Sequence, residues 1–270
     1  MHLLRLLSLF FVVDVLCAAA PRPEWAAAEA SYDALLRERV AAGRVDYTAL
    51  KTDPRLGAFL DAAARIDPAA LASREAALAY WLNLYNAATL KLAADRYPIA
   101  SIHDLAKGGR YLSFALGTTP WDIRFVDTTR GRLTLNEIEH EIVRRDFADE
   151  PRIHFALVCA ALSCPPLRSE AYAAERLDAQ LAEQTRAFLA DERHNTFDPA
   201  KRVARVSAIF DWYGKDFGEG DRAVLAWIAR WAPPAVAEAL AADPGRWRLR
   251  FAAYDWALND AASASPARKN

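Results

Sequence analysis

Two thiols, five positions apart, carry most of the chemistry open to this sequence. Cys159 and Cys164 both lie in RIHFALVCAALSCPPL, residues 152–167, with His154 just upstream. A cysteine pair of this kind can be a disulfide staple, a pair of metal ligands, a nucleophile with its neighbour, or two inert buried thiols. The C-x4-C spacing with one histidine lacks the paired C-x2-C and H-x3-5-H grammar of a structural zinc site, so no metal or other cofactor is expected. A catalytic thiol would need a base and a group to orient that base, which directs attention to histidines and acids elsewhere in the chain.

One such acid is Glu139, in TLNEIEHEIVRRDF. Thr134 and Glu137 stand in capping-box relation, which explains Glu137 as a helix N3 residue. At about 100° per residue, Glu139 then falls between Leu135, Ile138 and Ile142 on the core-facing stripe. A carboxylate there needs a partner: an arginine in a buried ion pair, or a histidine or asparagine that it orients. Its neighbour His140 points towards the flank of the same helix. Two amides, Asn83 and Asn86, are three apart on a helix that is apolar on nearly every side. They can tie down loops, or line a pocket and orient a histidine or a substrate.

These residues must be positioned by a helix-rich framework. EWAAAEASYDALLRERVAAG reads as a helix stopping at Gly43, and ALAYWLNLYNAATLKLAA as the buried part of a helix over 72–97 that Pro98 ends. From Tyr111 to Leu133 the period becomes two, which predicts short antiparallel strands. IHFALVCA is a continuous apolar run and predicts a central strand over 152–159, buried on both faces. On that strand His154 and Cys159 would lie about 16–17 Å apart and on opposite faces, too far for a direct nucleophile–base pair. An amphipathic helix follows within residues 169–192, then a strand in KRVARVSAIF, a helix around DRAVLAWIARWA and a last strand in RWRLRF. The predicted fold is a single α+β domain over 21–260, with a small, mostly antiparallel sheet around a buried helix and a disordered tail over 261–270.

The 270 residues, 53% of them hydrophobic, can bury one large core or two small ones. With 34 basic and 35 acidic side chains there is no electrostatic footprint for nucleic acid or an anionic membrane surface. The first twenty residues, MHLLRLLSLFFVVDVLCAAA, have the basic start, short apolar run and small-residue end of a secretory signal. The run is too short to span a bilayer. Cys17 follows Leu16, bulkier than the residue that lipoprotein processing prefers, which argues against a lipid anchor. The expected location is therefore periplasmic or secreted, where the two cysteines left once the signal and its Cys17 are removed would favour pairing.

Six ordered blocks, GRVDYTAL, AYWLNLYNAATLKL, TLNEIEHEIVRR, RIHFALVCAALSCPPLRSEAY, SAIFDWYGKDFG and YDWALND, resemble the DUF547 family from about Arg44 to Asp260. The resemblance singles out Trp81, Asn83, Tyr85, Asn86, Glu139, His140, His154, Cys159, Cys164 and Pro165. By analogy such a grouping is similar to papain- or transglutaminase-like thiol sites, in which a cysteine, a histidine and a carboxylate or amide cooperate. The expectation is thiol chemistry on an acyl or amide group. Cys164 is preferred to Cys159 as nucleophile, His140 or His154 is the base and Glu139 orients it. Asn83, Asn86, Trp81 and Tyr85 surround a small-molecule or peptide ligand. The alternative is a non-catalytic binding or scaffold module built around a Cys159–Cys164 disulfide, with a protein as partner.

Overall fold

Ser73 begins the longest helix because its side chain satisfies a backbone donor that the first turn leaves open. In the computed structural model, which describes residues 23–105, 119–243 and 245–264, Ser73 Oγ accepts from the Ala76 N–H at 3.1 Å. The helix runs Arg74–Arg96 and every residue from Leu78 to Leu90 is buried. Buried leucines such as Leu82 and Leu84 each contribute about 1.5–3 kcal/mol of burial, so the helix is held by its surroundings on all sides. The segment read as a secretory signal, the strand expected over 110–116 and residues 265–270 of the tail lie outside the described residues.

Around this helix pack Pro23–Arg39, Pro54–Ala63 and a helix over 135–146, whose middle, Glu137–Val143, is wound as a π-helix. The capping box forms as the sequence predicts: Thr134 N–H donates to Glu137 Oε2 at 2.8 Å, and Glu137 N–H to Thr134 Oγ1 at 3.0 Å. The first helix ends at Arg39 rather than at Gly43. Val40–Ala41 and Arg44–Val45 instead make a small hairpin, with Ala42 and Gly43 both at positive φ. A Cβ on Gly43 would lie 2.4 Å from Pro166 Cβ, so the glycine lets this hairpin press against the segment that follows Cys164.

The apolar side chains fall into two clusters. The larger surrounds the central helix and includes Leu177 and Leu181. The smaller contains Phe188, Leu189, Phe210, Phe217, Trp227 and Leu249, packed between Gly220–Ala229 and a sheet of Thr196–Asp198, Val203–Val206 and Arg248–Phe251. In that sheet the first pair is antiparallel and the second parallel. The helix Leu177–Ala190 belongs to both clusters, which joins them into one α+β unit. A further antiparallel pair, Val126–Thr128 with Gly131–Leu133, covers part of the period-two region; Trp121 sits instead in the 3₁₀ turn Pro120–Asp122.

The central strand predicted over 152–159 does not form. Pro151–Phe155 is a 3₁₀ helix, followed by turns. The apolar run reflects burial, which it shares with a strand, but Pro151 opens a helical turn and Glu150 caps it by accepting from the Arg152 N–H. Ile153 joins the larger cluster and Phe155 the smaller, leaving His154 at their seam. The separation argument against pairing His154 with Cys159 assumed an extended strand and lapses with it.

Candidate active site

The seam opens into a cavity of about 340 Å³ whose lining includes Cys159, Cys164, His154, His140, Glu139 and Tyr85. Six of the residues singled out by sequence are thus brought to one place, with Pro165 beside them. Asn83, Asn86 and Trp81 are not among its lining residues. Asn83 exchanges hydrogen bonds with the backbone of Tyr172 at 2.8 and 2.9 Å. Asn86 donates to Ala156 O at 2.9 Å and accepts from the Val158 N–H at 3.0 Å. Both amides are therefore spent on backbone, the loop-tying alternative that the sequence left open. Trp81 is buried against Tyr80 and under the Arg130 guanidinium.

Asn86 nevertheless matters to the thiols, because it fixes the chain immediately before Cys159. From the other side the C-terminal strap holds the loop: Asn259 N–H donates to Ala160 O, Leu162 N–H to Ala257 O, and Ser163 N–H to Asp255 O, at 2.8–3.1 Å. Ala160 has φ 60°, a left-handed conformation costly for a residue with a Cβ. Such a bend persists only where the surroundings over-determine it, as the clamps on both sides do here.

The two sulfurs occupy different environments. Both are free thiols, so the disulfide left open by the sequence is not formed. Cys164 is buried; its Sγ accepts from the Cys159 N–H at 2.9 Å, and burial pushes its pKa well above the ordinary thiol value. Cys159 is partly exposed, with Sγ 3.2 Å from Tyr254 Oη. Burial alone raises its pKa, but hydrogen bonds from Cys164, Tyr254 and the Ala161 backbone outweigh that and hold it below the ordinary thiol value.

His154 meets Asp216, with Nε2 2.7 Å from Oδ2, and its ring stacks on Tyr213 at 4.1 Å between centroids. Arg144 grips the same carboxylate with both arms, at 2.8 and 2.9 Å, and lies over the Tyr213 ring. The His154 hydrogen bond, followed by Arg144, holds the Asp216 carboxyl well below the usual carboxylate range although desolvation opposes it. His140 is exposed, with Nδ1 3.1 Å from Arg144 Nη1.

Glu139 is buried where the helical stripe predicts, but it bonds neither a histidine, an asparagine nor an arginine. Tyr85 Oη donates to its Oε2 at 2.8 Å and Tyr213 Oη to its Oε1 at 2.6 Å. Desolvation, then the Glu139 charge, push both phenols well above their ordinary values, so they remain donors. Glu139 therefore reaches His154 only through the Tyr213 ring. The π-helix, with Arg144 N–H donating to Glu139 O, sets both Glu139 and Arg144 toward the seam. Among the described residues no group of three or more His, Cys, Asp and Glu side chains is arranged to hold a metal ion.

Set against known families, residues 68–189 match the family described as a protein of unknown function, DUF547. This stretch, somewhat under half of the chain, is similar to the DUF547 family. The matched DUF547 segment carries both cysteines, Glu139, His140, His154, Asn83 and Asn86, whereas Tyr213, Asp216 and Tyr254 lie beyond it. No curated protein and no solved structure matches the chain. Asp216, Tyr213 and Tyr254 were not singled out by sequence reasoning. Their only signal was membership in the blocks DWYGKDFG and YDWALND, where neither acid nor phenol has a spacing that points to a histidine or a thiol.

Proposed function

We propose that this protein is a thiol-dependent hydrolase or acyl transferase in which Cys159 is the nucleophile and His154 its base. The observation that carries this reading is the meeting, in one cavity, of a partly exposed thiol of lowered pKa with a buried histidine held by a carboxylate. This reverses the order expected from sequence, since Cys164 has the higher pKa and the deeper burial. With Nε2 bound to Asp216, His154 keeps Nδ1 for proton transfer. Asp216 is the orienting group, steadied by Arg144, and Glu139 positions the histidine indirectly by fixing Tyr213.

In the first half-reaction the Cys159 thiol gives its proton to His154 and its sulfur bonds the acyl carbon. The bond from that carbon to the leaving amine or alcohol breaks, and the leaving group takes the proton from His154. In the second, water or another acceptor gives a proton to His154 and attacks the thioester, and the sulfur leaves with that proton. Tyr254 Oη supports the anionic sulfur. Export to the periplasm or medium is part of the proposal and rests on residues 1–20 alone.

Labelling tests the reading. Substoichiometric iodoacetamide at neutral pH, followed by peptide mass spectrometry, is expected to modify Cys159 ahead of Cys164, and His154→Ala to slow that labelling. Preferential labelling of Cys164, or equal slow labelling of both, would overturn the assignment and favour a binding module.

A further inference from the structure

One wall of the cavity is built from aromatic rings that the proposed chemistry does not use. The C-terminal strap alternates exposed and half-buried residues from 253 to 257, which places Tyr254 and Trp256 on one face. Tyr254 and Trp256 touch at 4.4 Å between centroids, Trp212 lies 4.7 Å from Tyr254 and 5.7 Å from Trp256, and Trp121 closes the row 6.0 Å from Trp256. All four line the cavity, and Trp212 remains 47% exposed. That is costly for so large an apolar side chain unless something covers it in use.

The spacing distinguishes between occupants. A cation cage needs ring faces held apart so that the ion fits between them, within about 6 Å of each centroid. Here the rings pack on one another, Trp212 nearly parallel to Trp256 at 19°, Tyr254 and Trp121 tilted against it at 48° and 66°, and His103 4.4 Å from Trp256 beside them. No lysine or arginine is among the described lining residues, and the one lining carboxylate, Glu139, has both oxygens engaged by tyrosines. Such a wall suits a flat, uncharged, apolar group laid against it.

Orientation follows from Cys159. Tyr254 joins the wall to the sulfur, while His154 packs on Tyr213 and Phe217. The leaving group must face the histidine that protonates it, so the acyl side faces the wall. We infer that the site takes esters, thioesters or amides whose acyl group is aromatic or comparably flat and apolar. This rests on the thiol-acyl reading above, but its test does not need turnover.

In the Cys159→Ala protein, N-phenylacetylglycinamide is expected to bind about tenfold tighter than N-acetylglycinamide, read by tryptophan fluorescence or calorimetry. Trp256→Ala should reduce that ratio to about twofold or less, and Trp212→Ala, at a half-exposed position, serves if the first variant fails to fold. Equal affinities, no binding of either probe, or tighter binding of the trimethylammonio-acetyl analogue would overturn the inference. Turnover separates the two claims. If wild-type protein hydrolyses acetyl and phenylacetyl thioesters equally well, the aromatic preference falls and thiol chemistry stands. If it hydrolyses neither while the binding ratio holds, the catalytic reading falls and the aromatic site stands.

Discussion

The larger core, wrapped around Arg74–Arg96, and the smaller one, around Phe210 and Trp227, contribute unequal halves of the candidate site. From the larger come both thiols and Glu139, and most buried apolar residues within the family match belong to it. From the smaller come their partners: Asp216 and Tyr213 in the turns beside Phe217, with Tyr254 packed against both cores. His154 sits between Ile153 of one and Phe155 of the other. The groups of the candidate site are thus assembled at a seam. Neither half holds a histidine with its carboxylate and a thiol with its hydroxyl.

The most severe way to break this comparison is to remove the groups at the seam. Cys159→Ala is expected to abolish acyl-transfer activity with little change in Tm, whereas Cys164→Ser should retain measurable turnover. His154→Ala should lower kcat by about 10²–10⁴-fold, the range of general acid–base catalysis. Kinetics and thermal melts on the three variants check both halves of this claim.

Asp216 probes whether the smaller core's contribution is electrostatic. Its carboxyl is held below the ordinary value, so the stability gained from ionisation is fully present above about pH 4 and is lost as pH falls through the folded value. Asp216→Asn should lose about 10²-fold or more in kcat at neutral pH. In thermal melts it should also show a shallower loss of Tm between neutral and acid pH than wild type.

Within the larger core, two asparagines on one helix sharpen the contrast. Asn86→Ala and Asn83→Ala each leave buried backbone groups unpaired, at a cost of about 1–3 kcal/mol for each group. Only Asn86 clamps the chain before Cys159. Its loss should therefore reduce activity per folded molecule, while Asn83→Ala should keep it. Glu139→Gln places an NH₂ against one tyrosine hydroxyl and is expected to cost about 1–3 kcal/mol, below the 3–5 kcal/mol of a broken buried ion pair.

The smallest effect is expected far from the seam. Glu29 lies in an outer groove of the larger core, where burial and the Glu175 charge raise its pKa from 4.5 to about 7. The folded state then holds a proton that the unfolded chain has released, so stability falls as pH rises through that window. Glu29→Gln should remove that slope in Tm between pH 5 and pH 8 without altering turnover.

Local rules read the central helix, the Thr134–Glu137 box and the inward face of Glu139 correctly, because each depends on residues within a few positions of one another. They failed at IHFALVCA, since an apolar run records burial and not backbone shape, and the proline that decides the shape precedes it. They left the amides open: periodicity places Asn83 and Asn86 inside but cannot say whether backbone or ligand meets them.

Composition and local spacing specify which helix is buried, where it starts and ends, and that thiols, histidines and a carboxylate occur in one family's pattern. Which of them meet is set by the packing of the folded chain. His154 finds Asp216 across 62 residues, Cys159 finds Tyr254 across 95 and Glu139 finds Tyr213 across 74. Hydrogen bonds between such distant positions depend on how two cores dock. Docking follows from side-chain packing summed over both cores, and no local spacing encodes it.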